Sequence, residues 1–154
     1  MMKVIDRRAS DNKYLHKDFH ISMNMLLGYI HDEYGPEAVT EYLAQFSRAF
    51  HSPINKNLRE GRLELLERYF KGIYEKEEWP VFVALKDDAL TVSQESCPGI
   101  VHIKNKGYEP VEQYIETYTT VYKTMCEGTP YKYVMEKFDP ETGACRQRFQ
   151  RRAL

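Results

Sequence analysis

The spacing of apolar residues changes near the middle of the chain, and this change limits the fold more than any other feature. Before residue 80 the apolar residues recur every three or four positions, which is typical of one face of an α-helix. The first such series is Leu15, Phe19, Met23, Leu26, Ile30 and Tyr34. After residue 80, runs rich in β-branched and aromatic residues form two predicted hairpins, with two more helical segments between them. This order predicts an α+β fold.

Turn and capping residues divide these patterns into elements. Gly35-Pro36 separates the first two helices, and Gly61 ends a short helix that begins at Ser52. Trp79-Pro80 follows the next helix, and Pro98 begins another short one. The main helices are predicted near 13–34, 37–50, 62–77 and 111–127, and the hairpins near 81–95 and 131–150.

The two predicted hairpins have turns of different quality. The first turn, Lys86-Asp87-Asp88, contains no glycine and is a weak turn signal, whereas the DPETG sequence of the second is a strong one. We expect the hairpins to join into one antiparallel sheet with helices covering one face. No repeat or linker interrupts the sequence, so residues 1–154 are interpreted as a single α+β domain.

The charge and hydropathy of the chain argue against two classes of partner. The formal net charge is −1 and the isoelectric point is near 6.5, so we expect no nucleic acid and no anionic membrane as partner. No apolar run reaches the roughly 20 residues of a membrane span, and no secretory signal is visible. Arginines cluster near the end of the chain, at positions 146, 148, 151 and 152. They predict a solvated edge strand, with a subunit contact or an anionic ligand as alternatives.

The cysteines suggest a reduced protein with one reactive candidate. Cys97, Cys126 and Cys145 are odd in number and lack CxxC spacing, so we expect no disulfide framework, no zinc ribbon and a cytoplasmic location. Cys97 precedes Pro98 at a helix start, where the helix dipole stabilises a thiolate suited to nucleophilic attack. The alternative is a buried thiol that packs as a small hydrophobe. His102 lies on the same short helix, and the fold could bring it into the same cavity.

The histidines at 16 and 20 leave three alternatives open for the first helix. An HxxxH pair can bind zinc, but zinc needs further ligands, and Lys17 stands where helical zinc hydrolases carry a glutamate. By helical geometry His16 borders the apolar stripe and His20 lies farther round. We predict that the two histidines form no metal site. His16 is expected to have either a role in the pocket or a structural role, and His20 is expected to lie beside solvent or a neighbouring subunit. Glu77-Glu78 falls at a predicted helix end, where solvation explains it.

Aromatic residues are numerous, with 12 tyrosines and seven phenylalanines. Such a number suits a core together with a lined pocket or a subunit interface. We therefore predict a small-molecule pocket between the sheet and the helices, with Tyr118 and Tyr122 among its ligand-binding residues. Cys97 and His102 are expected to reach it, and the protein is expected to be a homo-oligomer.

Three segments of the second half resemble the C-terminal pattern of the L-2-amino-thiazoline-4-carboxylic acid hydrolase family. They are CPGIVHIKNKGY, ETYTTVYKTMCEGTPYKY and DPETGACRQRF. The shared features are a Cys-Pro at a helix start, a cysteine at a helix end that leads to glycine, and a Gly-x-Cys final strand. The pattern is also distantly similar to 4-vinyl-reductase-type small-molecule-binding domains. The final strand here continues as CRQRF, where the family carries a more acidic ending.

The resemblance implies a helix-covered sheet with a buried cavity and the hydrolytic ring opening of a cyclic amidine-like substrate. It points to Cys97, Cys126 and Cys145, with a histidine or a thiolate as base or nucleophile. We take Cys97, His102 and His16 as the catalytic candidates, and Cys126 and Cys145 as ligand-binding candidates, without a cofactor. The expected function is hydrolysis of a C–N bond in a cyclic amidine-like or amide metabolite. The alternatives are a non-catalytic binding or sensing domain and a purely structural subunit.

Overall fold

The computed structural model describes residues 15–153 and, for residues 15, 16 and 18, the backbone alone. Helices dominate the first part of the described chain and strands the last part. The elements are, in chain order, α1 (Leu15–Tyr34), α2 (Pro36–Phe50), α3 (Ser52–Arg59), α4 (Leu63–Lys76), β1 (Phe82–Lys86), β2 (Ala89–Gln94), α5 (Pro98–Asn105), a 3₁₀ helix (Glu112–Ile115), α6 (Glu116–Met125), β3 (Tyr131–Phe138) and β4 (Cys145–Arg151). The predicted α+β architecture is confirmed.

The sheet is antiparallel throughout, with the strand order β1-β2-β4-β3. The pairing of β2 with β4 joins the two predicted hairpins into one sheet. It also places β4 between two other strands, so the prediction that the arginine cluster lies on an edge strand is wrong. Arg146 and Arg148 instead lie on the outer face of a central strand, where Glu136 pairs with them at 2.9 and 3.9 Å. The arginine periodicity was correct for a strand, but pairing order is a long-range property that this segment does not encode by itself.

The first hairpin turns on two aspartates instead of a glycine. Asp87 and Asp88 have φ angles of 51° and 56°, which is the left-handed conformation that a two-residue type I′ turn requires and that aspartate tolerates better than most residues. The Asp88 carboxylate pairs with Arg151 and accepts a hydrogen bond of 3.1 Å from the Tyr131 hydroxyl. The turn is therefore tied to the ends of β3 and β4.

The inner face of the sheet and the helices enclose the core. One cluster lies beneath the sheet against α3 and α4, a second lies between α1, α2 and α6, and a third surrounds the start of α5. Tyr122 packs against all three clusters, so α6 connects them. Among the described residues, no helix is long and apolar enough to cross a membrane.

Helix α1 buries a different face from the one that its hydrophobicity predicts. His20 and Leu27 lie on the packed side, whereas Phe19 and Leu26 are 45% and 37% exposed. Asn24 explains the rotation, because its buried amide donates to the Glu109 carbonyl at 3.0 Å and accepts from the Val111 N–H at 2.8 Å. Anchoring that loop requires a polar residue on the inner face, and a purely apolar stripe cannot reveal this requirement.

Candidate functional site

A cavity of about 140 Å³ lies between α1, α2, α4 and α6, beside the first turn of α5. Its volume is close to that of engineered protein cavities of about 150 Å³, which hold a benzene ring. Most of its lining is aromatic or aliphatic, and the polar groups come from histidines, tyrosines, one threonine and one glutamate. The described lining residues with polar side chains are His20, His51, Tyr69, Tyr74, Glu77, Tyr114, Thr117, Tyr118 and Tyr122.

One side of the cavity, which we call the His20 wall, consists of His20, Glu77 and Tyr114. The Tyr114 hydroxyl lies 2.8 Å from His20 Nδ1, and the Glu77 carboxylate lies 4.0 Å from His20 Nε2. Burial raises the pKa of Tyr114 well above its usual value, so the phenol keeps its proton and can donate it to Nδ1 when that nitrogen is bare. With the phenol as donor, a neutral imidazole carries its hydrogen on Nε2, the nitrogen that lies 4.0 Å from the carboxylate. The wall places a phenol, an imidazole and a carboxylate in series, an order similar to that of hydrolase triads, with a hydrogen-bond distance from tyrosine to histidine and an ion-pair distance of 4.0 Å from histidine to glutamate.

Gly99 makes this arrangement possible. A side-chain carbon built on Gly99 would overlap the Tyr114 hydroxyl and lie 2.7 Å from His20 Nδ1. The histidine and the tyrosine therefore rest directly on the backbone of the first turn of α5. Only glycine leaves room for both of them there.

A second group, which we call the His51 wall, consists of His51 and Tyr69 in the cavity lining and of Ser47, which lies against His51 outside the described lining. The Ser47 hydroxyl donates its one hydrogen to the Val121 carbonyl at 2.6 Å, so it can only accept from His51 Nδ1, 3.3 Å away. His51 Nε2 is then the bare nitrogen and accepts from the Tyr69 hydroxyl at 3.2 Å. Burial lowers the pKa of His51 to about 4 and raises that of Tyr69 to about 12. Both groups are neutral near pH 7, and the three hydrogen bonds fix one tautomer.

Cys97 lies directly behind the cavity lining. Its sulfur is 2.9 Å from the Tyr118 hydroxyl, which also accepts a hydrogen bond of 3.2 Å from the Gln94 side-chain amide. Burial raises the pKa of the Cys97 thiol, and the opposing effects of Tyr118 and of the backbone N–H groups of Ile100 and Gly99 are smaller. The group at this helix start is therefore a protonated thiol that supports Tyr118.

The structure brings some of the predicted site residues together and separates others. Tyr118 and Tyr122 line the cavity, whereas Cys97 and His102 are not among its described lining residues. Cys145 lies within electrostatic reach of Cys97, which together with burial raises its pKa to about 12. Cys126 packs in the cluster beneath the sheet instead. All three cysteines are free and buried.

His16 lies in α1, but its side chain falls outside the described residues, so its predicted role stays a prediction. The expectation that His20 meets solvent is wrong, because its side chain is only 15% exposed and lines the cavity, while a neighbouring subunit beside it stays a prediction. The expectation that Glu77 is a solvated helix end is also wrong, since this residue is 8% exposed and faces the same cavity. In the part of the chain that the structure describes, no three His, Cys, Asp or Glu side chains are grouped as metal ligands.

A weak signal for the site was present in the sequence. His20 and Asn24 are polar residues one turn apart, beside Met23 and Leu27 on the same helix face. Polar residues on a buried face indicate hydrogen-bond partners elsewhere in the fold. Glu77 follows Tyr69, Phe70, Ile73 and Tyr74 at helical spacing and continues their face. Pairing these two faces required knowledge of how α1 and α4 are placed in the fold.

Comparison of the chain with protein-family models, with curated proteins and with solved structures finds no significant match in any of the three.

Proposed function

We propose that the protein is a small-molecule hydrolase that cleaves a C–N bond of a cyclic amidine-like or amide metabolite in the cavity. The observation that carries this proposal is the His20 wall, in which a phenol, an imidazole and a carboxylate follow one another at 2.8 and 4.0 Å. Such a chain moves a proton away from an attacking water and stabilises the imidazolium that results. The cavity volume suits a substrate built on one small ring.

The reaction begins with water held against the Tyr114 oxygen. As the water oxygen bonds to the electrophilic carbon, its proton passes to Tyr114 and the phenol proton passes to His20 Nδ1. These two transfers are concerted, because the raised pKa of Tyr114 makes a free phenolate unfavourable. Glu77 stabilises the imidazolium. When the C–N bond breaks, the proton returns through Tyr114 to the leaving nitrogen.

The resemblance of the second half to the L-2-amino-thiazoline-4-carboxylic acid hydrolase family supports the same reaction class. In this scheme Cys97 holds Tyr118 in the cavity lining and is not the nucleophile, since a protonated thiol attacks poorly. The three free thiols are consistent with a reducing compartment, and we place the protein in the cytoplasm.

A second candidate function is non-catalytic binding or sensing of a small molecule. It is favoured by the aromatic lining and by the His51 wall, where burial keeps the polar groups neutral. Binding without turnover needs no proton acceptor. Replacing His20 should therefore lower turnover if the protein is a hydrolase, and should change only ligand affinity if it is a sensor.

The experiment that separates them measures turnover and binding on a panel of cyclic amidines and cyclic amides. The variants are His20→Gln, Cys97→Ala and, as a matched control outside the described lining, His102→Gln. Glutamine can still accept from Tyr114 but cannot take up a proton, so we expect His20→Gln to bind normally and to lose about 100-fold or more in kcat. The two other variants should stay within a few-fold of wild type.

Binding by the wild type with no turnover of any panel member would favour the sensor. Loss of turnover in Cys97→Ala, with His20→Gln unaffected, would transfer the chemistry to the thiol and contradict the proposed scheme.

A further inference from the structure

The two edges of the sheet differ in how well they are protected against pairing. The β3 edge carries a bulge between Met135 and Lys137 and a second lysine at position 132, both of which discourage the addition of a strand. The β1 edge, Phe82–Lys86, pairs with β2 in a regular register without a bulge. A groove of about 370 Å³ lies beside Val83, between β1 and α4, and leaves this flank of the edge accessible.

The turn determines which backbone groups of β1 face outward. In a two-residue type I′ hairpin the residues that flank the turn, here Lys86 and Ala89, form a hydrogen-bonded pair. Hydrogen-bonded and non-hydrogen-bonded pairs alternate along an antiparallel ladder. The N–H and C=O groups of Val83 and Leu85 therefore point away from β2. Among the described residues, neither takes part in a backbone hydrogen bond outside the strand pairing.

This arrangement is symmetric about Ala84. A second β1 strand laid antiparallel against the first, with Ala84 opposite Ala84 of the second copy, places Val83 opposite Leu85 of the second copy. Each of these two equivalent pairs exchanges two hydrogen bonds, as a hydrogen-bonded antiparallel pair does. The position on the two-fold axis is a non-hydrogen-bonded pair, where side chains approach most closely, and alanine fits there.

The side chains of the outer face fit the same register. Phe82, which is 62% exposed, comes to lie opposite the exposed Lys86 of the second copy. A lysine ammonium beside an aromatic ring is favourable, and the register places no like charges opposite each other. A strand from another protein could pair with β1 whether or not β1 is complementary to itself, so this self-complementarity favours a second copy of the chain as the partner.

We propose that two copies of the protein associate through their β1 strands and form a continuous eight-stranded antiparallel sheet. The contact is isologous, because the same five residues of each copy form it around a two-fold axis. The helices of both copies then cover the same face of the joined sheet, and each cavity lies among the helices of its own copy, so the association does not depend on the proposed hydrolase function.

The first test is a cysteine placed on the two-fold axis. Non-hydrogen-bonded antiparallel pairs have Cα atoms about 4.5 Å apart, within the roughly 4.4–6.8 Å range of disulfides. Ala84→Cys should therefore form a disulfide-linked dimer under mild oxidation. Thr91→Cys is the matched control, because Thr91 lies opposite Ala84 on β2 and the two copies of Thr91 would be about 14 Å apart. The native cysteines are buried and should not contribute.

The second test is the molar mass in solution, measured by analytical ultracentrifugation. Wild type should have twice the chain mass of 18.2 kDa. Phe82→Lys places two lysines opposite each other and should raise the dimer Kd about tenfold or more, and adding Lys86→Glu to it should restore the affinity. A monomeric wild type would overturn the proposal. So would a dimer whose Kd is unchanged by Phe82→Lys and in which Thr91→Cys forms a cross-link as readily as Ala84→Cys.

Discussion

Two histidines line the same cavity, and their surroundings give them different capacities. His51 lies between a serine and a tyrosine whose hydrogen-bond directions are fixed, and burial lowers its pKa to about 4. His20 lies between a tyrosine and a carboxylate, an arrangement that stabilises the imidazole when it takes up a proton. In the proposed hydrolase scheme it is the Glu77 carboxylate, more than burial or position in the cavity, that makes His20 the proton acceptor and leaves His51 a structural histidine.

The largest expected effect comes from disturbing the His20 wall alone through its glycine. Gly99→Ala should displace both Tyr114 and His20, because the added carbon lies 2.7 Å from His20 Nδ1 and overlaps the Tyr114 hydroxyl. We expect turnover to fall about 100-fold and the free energy of unfolding to fall by about 1–3 kcal/mol, measured by steady-state kinetics and urea denaturation.

Gly72→Ala is the matched control for this substitution. A side-chain carbon there meets nothing within 4 Å, and alanine is favoured over glycine inside a helix such as α4 by up to about 1 kcal/mol. This variant should keep full turnover and gain stability. Normal turnover in Gly99→Ala would mean that the geometry of the His20 wall is not needed.

The next largest effect is the pH dependence of the stability that His51 contributes. The folded-state pKa of His51 is about 4 against an ordinary value of 6.5, so between these values the unfolded chain binds a proton that the folded protein does not. The contribution of His51 to stability is therefore complete above pH 6.5 and is lost as the pH falls toward 4. We expect the free energy of unfolding to fall by about 2–3 kcal/mol across this window because of His51 alone.

The contribution of His51 is measured as the difference between wild type and His51→Gln in urea denaturation at several pH values, since other titrating groups cancel. The gap between the two should narrow as the pH falls from 7 to 4. Parallel stability curves would show that His51 is protonated as readily in the folded protein as in the unfolded chain.

The smallest effects come from removing one phenol on each wall. Tyr114→Phe should lower kcat about tenfold, because His20 must then take the proton directly from water, and should lower the free energy of unfolding by about 1 kcal/mol, because it removes the hydroxyl that lies 2.8 Å from His20 Nδ1. Tyr69→Phe removes the donor to His51 Nε2 and should lower the free energy of unfolding by about 1 kcal/mol, with turnover unchanged. Steady-state kinetics and urea denaturation of both variants test these expectations. Equal losses of turnover in the two variants would show that the His20 wall and the His51 wall do not differ in function.

The elements of the fold could be predicted because their signals are local. Pro36 and Pro98 mark helix starts, Gly35 lies between two helices, and apolar spacing separates helices from strands without knowledge of the rest of the chain. The sheet was also predictable, since two antiparallel hairpins beside amphipathic helices have few other ways to bury their apolar faces.

The candidate site could not be predicted in the same way, because its members come from α1, α4 and the segment before α6. Apolar spacing centres the buried face of α1 on the line from Phe19 to Ile30 and so predicts solvent or a neighbouring subunit beside His20, whereas Phe19 is 45% exposed in the structure. Glu77 was assigned to a solvated end because it lies just past α4. Both assignments depend on which helix faces which, and spacing within one helix does not contain that information.

The position of β4 also determines when the fold can be completed. β4 pairs with both β2 and β3, yet it is the last element of the described chain to be synthesised. Before residues 145–151 exist, the β1–β2 hairpin lacks the strand that it pairs with in the described structure, and isolated hairpins are marginally stable in water. The helices made earlier would meanwhile expose the faces that later pack on the sheet. A ribosome that pauses before Cys145 would therefore hold a nascent chain that is prone to aggregation and dependent on chaperones.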